Sequence, residues 1–175
     1  MKIRILTPTF NEEGNIRILH DKIQKVMLNL KFDYEHVVID NASTDNTQKI
    51  IREIASIDKN FKAILNQRNY GHIKSPYYGL VDSNADATIL MMSDLQDPIE
   101  LIPKMIEEWQ NGNQVVLLQR KNNVNEKFFF KFLKNTYYKF LNKLSEHKPE
   151  LNIVGSGLYD KKVIKILKDI KDPYP

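Results

Sequence analysis

The feature that most constrains the fold is a regular alternation of short apolar runs with longer amphipathic stretches. Residues 2–7, 36–40, 61–65, 88–92 and 115–119 are predicted to be strands. Residues 13–30, 75–84, 97–111, 126–147 and 163–170 are predicted to be helices, and a further helix follows Ser43 or Thr44 as its cap and ends near Ile57. Strands that alternate with helices in this way predict an α/β fold with a mostly parallel sheet flanked by helices.

Composition excludes several classes of protein. The 175 residues include no cysteine, which excludes disulfides and thiolate metal sites, and the four scattered histidines argue against a zinc site. The sequence contains no run of about 18 apolar residues, so we expect no membrane-spanning helix. The N terminus leads directly into a strand-like segment rather than a signal peptide, so we expect a cytoplasmic location.

Polar clusters follow four of the predicted strands. They are PTFNEE at 8–13, DNASTD at 40–45, QRNYGH at 67–72 and SDLQDP at 93–98. In open parallel sheets, ligands bind beyond the carboxyl ends of the strands, where these clusters would meet. Packing alone does not explain polar groups at several strand ends, so the pattern predicts a ligand site there.

The four clusters together resemble motifs of the family 2 glycosyltransferases, in the same order and at similar spacing. Residues 8–13 resemble PxYNEE, residues 40–45 resemble DDGSTD, and residues 68–71 resemble RNFG. Residues 93–98 resemble the DADLQDP form of the polyprenyl-phosphate sugar transferases, the bacterial relatives of dolichyl-phosphate mannose synthase. The resemblance covers essentially the whole chain and implies a GT-A fold, with a Rossmann-like sheet that binds a nucleotide sugar.

The resemblance also implies a domain organisation. A single GT-A domain is expected over 1–175, with 1–119 as the nucleotide-sugar-binding part and 120–175 as an incomplete acceptor- and membrane-proximal part. Comparable family members continue beyond the position of Pro175, so we expect a shortened chain. The activity of a chain of this length stays open, as does association with a second copy or with a membrane-protein partner.

The resemblance assigns nucleotide binding to residues of the first two clusters and to some residues of the other two. Asp40 would accept the N3–H of uracil, or the equivalent edge of another base, because an ionised carboxylate only accepts hydrogen bonds. Alternatively, Asp40 is a loop or capping residue and Glu12 is an acid in the first turn of a helix. The implied nucleotide-binding residues are Pro8, Thr9, Phe10, Asn11, Glu12, Asp40, Asn41, Arg68, Ser93 and Asp94.

The fourth cluster is the predicted metal site and catalytic centre. Asp94 and Gln96 alternate with Leu95, so they can face one side of an extended segment, and the resemblance makes them ligands for Mg²⁺ or Mn²⁺. Asp94 and Asp97 are the catalytic candidates, although Asp97 also fits the N-cap of a helix that starts at Pro98. Met92 stands where the family has its first aspartate, and a thioether is a poor ligand for a hard cation.

A basic, aromatic segment is predicted to contact the membrane. Residues 120–148 carry a net charge of +6, whereas the rest of the chain carries −2. The expected helix at 126–147 combines lysines with a wide apolar surface, which suits the anionic inner face of the plasma membrane. A core helix with a solvated lysine face is the alternative, and nucleic acid is not an expected partner.

The resulting hypothesis is inverting transfer of a hexose from a nucleotide sugar to a polyprenyl phosphate for cell-envelope glycan synthesis. UDP is the expected nucleotide, and GDP is the alternative. Residues 155–160 resemble the GFGLYD form of the family's acceptor-loop region, and no acidic residue directly precedes them. A phosphate acceptor is already ionised and needs little help from a general base. Transfer to a growing surface polysaccharide and a non-catalytic nucleotide-sugar-binding module are the alternatives.

Overall fold

The computed structural model describes residues 1–120 and 153–170, which contain six strands and five α-helices. The strands are β1 (Lys2–Thr9), β2 (Asp33–Asp40), β3 (Phe61–Leu65), β4 (Ala87–Leu90), β5 (Val115–Gln119) and β6 (Ile153–Asp160). The helices are α1 (Ile16–Leu30), α2 (Thr47–Ile57), α3 (Gly71–Val81), α4 (Ile102–Gln110) and α5 (Lys161–Ile170). A 3₁₀ turn at Ile99–Leu101 precedes α4.

The strands form one sheet in the order β3-β2-β1-β4-β6-β5. β1 is parallel to both β2 and β4, and β2 is parallel to β3. β6 is antiparallel to β4. The predicted α/β fold with a mostly parallel sheet is therefore confirmed.

Burial follows the periodicities from which the elements were predicted. Helix α1 buries Ile16, Leu19, Ile23 and Met27 at a spacing of three or four residues, which is the apolar stripe of an amphipathic helix. β1 is buried along most of its length, as expected of a central strand covered on both faces. The core therefore lies on both sides of the parallel part of the sheet.

Compact packing divides the chain into two units. One comprises Met1–Leu117 together with the residues from Gly155 onward, and the other is Leu118–Val154. The expected helix at 126–147 lies outside the described residues. None of the helices that the structure describes is long and apolar enough to cross a bilayer. The predicted division at residues 119 and 120 into donor and acceptor parts stays a prediction.

Strand β6 is the main element that the sequence pattern does not predict. Its residues include Gly155 and Gly157, and glycine usually weakens a strand. A Cβ atom at Gly157 would lie 3.0 Å from the carbonyl oxygen of Val116 and 2.9 Å from a methyl group of Leu117. Glycine therefore permits a close approach to the neighbouring strand, which no local sequence pattern reveals.

A buried carboxylate joins the first three strands. Glu35 on β2 accepts hydrogen bonds from Arg4 Nε at 2.7 Å, Lys2 Nζ at 2.8 Å and Lys62 Nζ at 2.7 Å. Burial by itself raises the pKa of Glu35, but these three cationic donors outweigh it and hold the pKa at about 2. The ionised side chain thus links β1, β2 and β3 at any physiological pH.

Candidate active site

The strand order places a ligand site at one point of the sheet. β1 is followed in sequence by β2 and β3 on one side, and the chain then crosses to β4 on the other side of β1. Such a reversal leaves a crevice beyond the carboxyl ends of the flanking strands. The ends of β1, β2 and β4 carry three of the four polar clusters, and the fourth follows β3.

A cleft of about 360 Å³ opens at this point. Six of the predicted nucleotide-binding residues line it, together with Met92, with Asn69 from the segment between β3 and α3, and with the first turns of α3. The lining residues are Pro8, Thr9, Phe10, Glu12, Asn41, Asn69, Gly71, His72, Ser75, Pro76, Met92 and Ser93. The structure therefore brings together segments that lie more than 80 positions apart in the sequence.

Asp40 lies beside the cleft rather than in its lining. Its side chain is fully buried at the end of β2, where Asp40 is opposite Thr9 of β1. Oδ2 accepts hydrogen bonds from the Ser43 backbone N–H at 3.1 Å and from Gln48 Nε2 at 2.7 Å. Oδ1 is buried and has no hydrogen-bond partner among the described residues. An unpaired buried acceptor costs about 1–3 kcal/mol, so a donor supplied by a ligand would relieve a real penalty.

The loops after β1 and β2 hold each other in place. The Asn11 backbone N–H donates to Ser43 Oγ at 2.9 Å, and Asn11 Oδ1 accepts from the Thr44 N–H at 2.8 Å. Glu13 Oε2 accepts from the Asn46 N–H at 2.9 Å. Asn11, with φ of 56°, is exposed and does not line the cleft. Its role in the structure is therefore to join the two loops.

The expected capping of α2 by Ser43 or Thr44 is wrong. Both residues precede the helix, which begins at Thr47, and both bond to Asn11 instead. Asp45 Oδ1 accepts the Thr47 N–H at 2.9 Å and satisfies the start of the helix. Competition from the facing loop, a tertiary contact, decides which side chain serves the helix.

Glu12 does not lie in the first turn of a helix, which was the alternative explanation for an acidic residue at this position. Helix α1 begins at Ile16 and has no acidic residue in its first turn. The Glu12 N–H donates to Thr47 Oγ1 at 2.8 Å, and its Oε2 accepts from Asn15 Nδ2 at 2.7 Å. These bonds fix Glu12 in the wall of the cleft.

Arg68 lies on the exposed part of the segment between β3 and α3. Its guanidinium carbon is 5.0 Å from the centroid of the Tyr70 ring, within the range of a cation–π contact. Arg68 is absent from the lining of the cleft. Its assignment to nucleotide binding stays a prediction.

The predicted metal ligands lie in the loop that follows β4. Asp94 and Gln96 are exposed, and Asp94 Oδ1 accepts the Gln96 backbone N–H at 3.1 Å. Among the residues that the structure describes, no three His, Asp or Glu side chains converge on one point. One carboxylate and one amide oxygen fit Mg²⁺ or Mn²⁺ when a diphosphate and water complete the shell, as is usual for Mg²⁺. Met92 lines the cleft but adds no oxygen ligand.

Asp97 has a structural role different from the expected N-cap. The following residues form a 3₁₀ turn, and α4 starts only at Ile102. Asp97 is buried, and its Oδ2 accepts a hydrogen bond of 2.6 Å from the hydroxyl group of Ser156 on β6. Ser156 Oγ also accepts the Met92 N–H at 3.4 Å. The loop carrying Asp94 is thus tied to β6 at both ends.

Several residues of the site are not evident from local motifs. Ser75 and Pro76 line the cleft from inside α3, which starts at Gly71 rather than at residue 75. Ser156 is buried behind the loop. For Asn69 a signal existed, since it lies within the QRNYGH cluster.

Solved structures share this architecture. Glucosyl-3-phosphoglycerate synthase from Mycobacterium tuberculosis, in complex with Mn²⁺, UDP and phosphoglyceric acid, matches with a TM-score of 0.63 at 20% identity, over 92% of this chain and 56% of that one. S. aureus TarS, in complex with UDP-GlcNAc, matches with a TM-score of 0.57 at 20% identity, over 97% of this chain and 47% of that one. The sheet and its cleft define a domain of the GT-A glycosyltransferase class.

Residues 4–166 match the model of glycosyl transferase family 2, and the chain belongs to that family. A bactoprenol glucosyl transferase of Shigella phage SfX is 33% identical over 168 residues, 96% of this chain and 55% of that protein. The glycosyltransferase YkcC of Bacillus subtilis (strain 168) is 32% identical over 171 residues, 98% of this chain and 53% of that protein. The chain therefore spans about half the length of the curated relatives it matches.

Proposed function

We propose that this chain forms the donor-binding part of a transferase that moves a hexose from a UDP-sugar to a polyprenyl phosphate, with inversion at the anomeric carbon. The observation that carries the proposal is the meeting of four separate polar segments around one cleft at the reversal point of a GT-A sheet. The choice of acceptor is supported by relatives named bactoprenol glucosyl transferase. The choice of UDP is supported by neighbours of the same fold that were solved with UDP or UDP-GlcNAc.

The residues around the cleft have distinct parts in this proposal. Asp40 Oδ1 would accept the N3–H of uracil, which gives a partner to its unpaired buried oxygen. Pro8, Thr9 and Phe10 would form the wall next to the nucleoside. Ser93, which lines the cleft, leads into Asp94 and thereby brings the diphosphate close to the predicted metal ligands.

Asp94 and Gln96 would hold Mg²⁺ or Mn²⁺. When bound, such a cation offsets the negative charge on the departing diphosphate. Asp97, fixed by Ser156, would keep the loop that carries both ligands in one conformation. Met92 supplies no carboxylate, so the remaining ligands must come from the diphosphate and from water.

The acceptor makes few demands on acid–base chemistry. An oxygen of the lipid phosphate attacks the anomeric carbon in line, the bond from that carbon to the diphosphate oxygen breaks, and the electron pair leaves with UDP. No proton has to be removed from an acceptor that is already ionised. The expected basic segment at 126–147, outside the described residues, would keep the protein at the inner membrane surface where the acceptor lies.

A transfer assay with radiolabelled UDP-glucose and undecaprenyl phosphate tests this function. We expect label to enter the organic phase only when both the lipid phosphate and Mn²⁺ are present. Asp94→Asn should lower the rate by about a hundredfold, as expected for loss of one group that acts on transition-state charge. Asp169→Asn on α5, the same chemical change on another exposed aspartate, is the matched control and should retain the rate.

The same assay, together with calorimetric measurement of nucleotide binding, distinguishes the alternatives. Transfer that needs a polysaccharide rather than the lipid phosphate would replace the proposed acceptor. UDP binding by calorimetry without turnover, for any acceptor tried, would favour a non-catalytic nucleotide-sugar-binding module. Absence of binding for UDP, UDP-glucose and GDP in the presence of Mn²⁺ would rule out the transferase assignment itself.

A further inference from the structure

Asn41 stands in the wall of the cleft, yet its side chain is directed at the protein. We propose that Asn41 is a positioning residue: its amide holds the loop at residues 66–71 in place. As the loop is arranged in this chain, with the Gly71 carbonyl facing the side chain, the position favours an amide over the aspartate of the family motif. The effect on nucleotide binding rests on the proposed function. The effect on the loop does not, because it concerns the free protein.

All the hydrogen-bonding capacity of the Asn41 amide is used within this loop. Nδ2 donates to Asn69 Oδ1 at 2.8 Å and to the Gly71 carbonyl oxygen at 3.2 Å. Oδ1 accepts from the Tyr70 backbone N–H at 2.9 Å and from Asn66 Nδ2 at 3.3 Å. Two donors and two lone pairs are the full capacity of an asparagine amide, so none is left for a ligand in this arrangement.

Backbone atoms fix which end of the Asn41 amide is nitrogen. The Tyr70 N–H can only donate and the Gly71 carbonyl can only accept, so Oδ1 must face the former and Nδ2 the latter. A carboxylate at position 41 would place a negatively charged oxygen against the Gly71 carbonyl. The arrangement therefore discriminates between asparagine and aspartate, which have nearly the same shape.

The loop that Asn41 holds is part of the cleft. Asn69 and Gly71 line the cleft directly, and Asn66 Nδ2 donates to Ser75 Oγ, another lining residue, at 3.2 Å. Asn41 itself is anchored to the sheet, because its backbone N–H donates to the Thr9 carbonyl at 2.8 Å. The amide therefore transmits the position of β1 to the opposite wall of the cleft.

A matched pair of substitutions distinguishes Asn41, whose amide both donates and accepts in this network, from Asn69, whose amide only accepts. Asn69 takes part through Oδ1 alone, which accepts from Asn41 Nδ2 and from the Gly71 N–H at 2.8 Å. Asn69→Asp keeps that acceptor, whereas Asn41→Asp removes a donor. If Asn69 rotated its amide toward a carboxylate introduced at position 41, the Gly71 N–H would lose its acceptor, so the Gly71 amide proton is the reporter.

Hydrogen exchange of the Gly71 amide, followed by NMR without nucleotide, is the primary measurement. At pH 8 we expect Asn41→Asp to speed exchange at least about tenfold relative to the wild type, and Asn69→Asp to leave it near the wild-type rate. The excess for Asn41→Asp should shrink as the pH falls below about 4, where an aspartate carboxyl becomes protonated and can donate. The excess for Asn41→Ala should not change with pH, because alanine cannot titrate. A pH-independent excess for Asn41→Asp as well would indicate a general structural disturbance rather than the loss of a donor.

Nucleotide binding is the second measurement. UDP affinity of Asn41→Asp should be lower than that of the wild type at pH 8, and the difference should narrow as the pH falls below about 4. Equal protection of the Gly71 amide in wild type and Asn41→Asp at pH 8 would overturn the inference. If Asn41→Asp does not fold, Asn41→Ala replaces it, and unchanged Gly71 exchange at pH 8 in that variant would overturn the inference equally. A wild type that binds no UDP but shows the expected exchange pattern contradicts the proposed function only.

Discussion

Two buried histidines form a chain of polar contacts between β1 and the surface. His36 Nε2 lies 3.0 Å from Thr7 Oγ1, His36 Nδ1 lies 3.0 Å from His20 Nδ1, and His20 Nε2 lies 3.3 Å from Asp58 Oδ2. Phe61 packs edge-on against both rings. An ionised Asp58 can only accept, so His20 donates to it, His36 donates to His20, and Thr7 donates to His36. The two rings cannot both be protonated in this arrangement, because two N–H groups would then face each other at 3.0 Å.

The histidines should make stability depend on pH. Burial, reinforced by the neighbouring His20, lowers the pKa of His36 to about 3. Burial also lowers the pKa of His20, against the opposing effect of Asp58. The unfolded chain therefore binds more protons than the folded one from about pH 6.5 down to pH 3, so stability falls as the pH falls through this window. For His36 alone, the loss at pH 5 is about 2 kcal/mol.

Urea unfolding at pH 7.5 and pH 5 measures this loss. His36→Gln can still exchange hydrogen bonds with its neighbours but cannot titrate. We expect it to be less stable at pH 7.5 and to lose distinctly less stability than the wild type on acidification. Equal losses in the two proteins would show that His36 binds a proton as readily in the folded protein as in the unfolded chain.

Helix α3 packs against β1 at Gly79. Of the glycines in the described ranges, Gly79 is the one at which an added Cβ atom would lie closest to another atom. A Cβ atom at Gly79 would lie 2.8 Å and 3.0 Å from the two methyl groups of Leu6, which is fully buried. Because Leu6 packs in the core with residues such as Val37 and Leu80, it has little room to move. Glycine at this position thus lets α3 lie close to the sheet, next to the cleft that its first turns line.

Gly79→Ala should lower the free energy of unfolding by about 1–3 kcal/mol through overpacking. Gly14→Ala is the matched control, because no atom lies within 4 Å of its added Cβ and its φ is not positive. The control should lose no stability, since alanine also restricts the unfolded chain. Chemical denaturation of both variants checks the pair, and equal stabilities would mean that Leu6 yields freely.

Prediction of elements from the sequence succeeded where the apolar periodicity alone decides the structure. The strands at Phe61–Leu65 and Val115–Gln119 have the predicted bounds. Prediction failed at β6 and at the start of α4, because a close glycine contact and the bond from Ser156 to Asp97 decide those regions. Both causes join segments that are distant in the sequence.

At the scale of the whole molecule, a ligand that binds only the folded state raises its stability by mass action. At a concentration of UDP roughly one hundred times its dissociation constant, the stabilisation is about 2.7 kcal/mol. We expect the melting temperature to rise more with UDP and Mn²⁺ together than with UDP alone. In Asp94→Ala the increment due to Mn²⁺ should vanish while the increment due to UDP persists. An unchanged Mn²⁺ increment in that variant would place the cation elsewhere.

The sequence alone determined the α/β class, the family and the four segments that build the site, because apolar periodicity and polar motifs are local properties. Only the tertiary structure decided how individual side chains are used. It turned Asn41 toward a loop, left Asp40 Oδ1 buried without a described partner and tied Asp97 to Ser156. A hydrogen bond needs two groups within about 3 Å, and in this fold the partner often comes from a segment that the local pattern cannot identify.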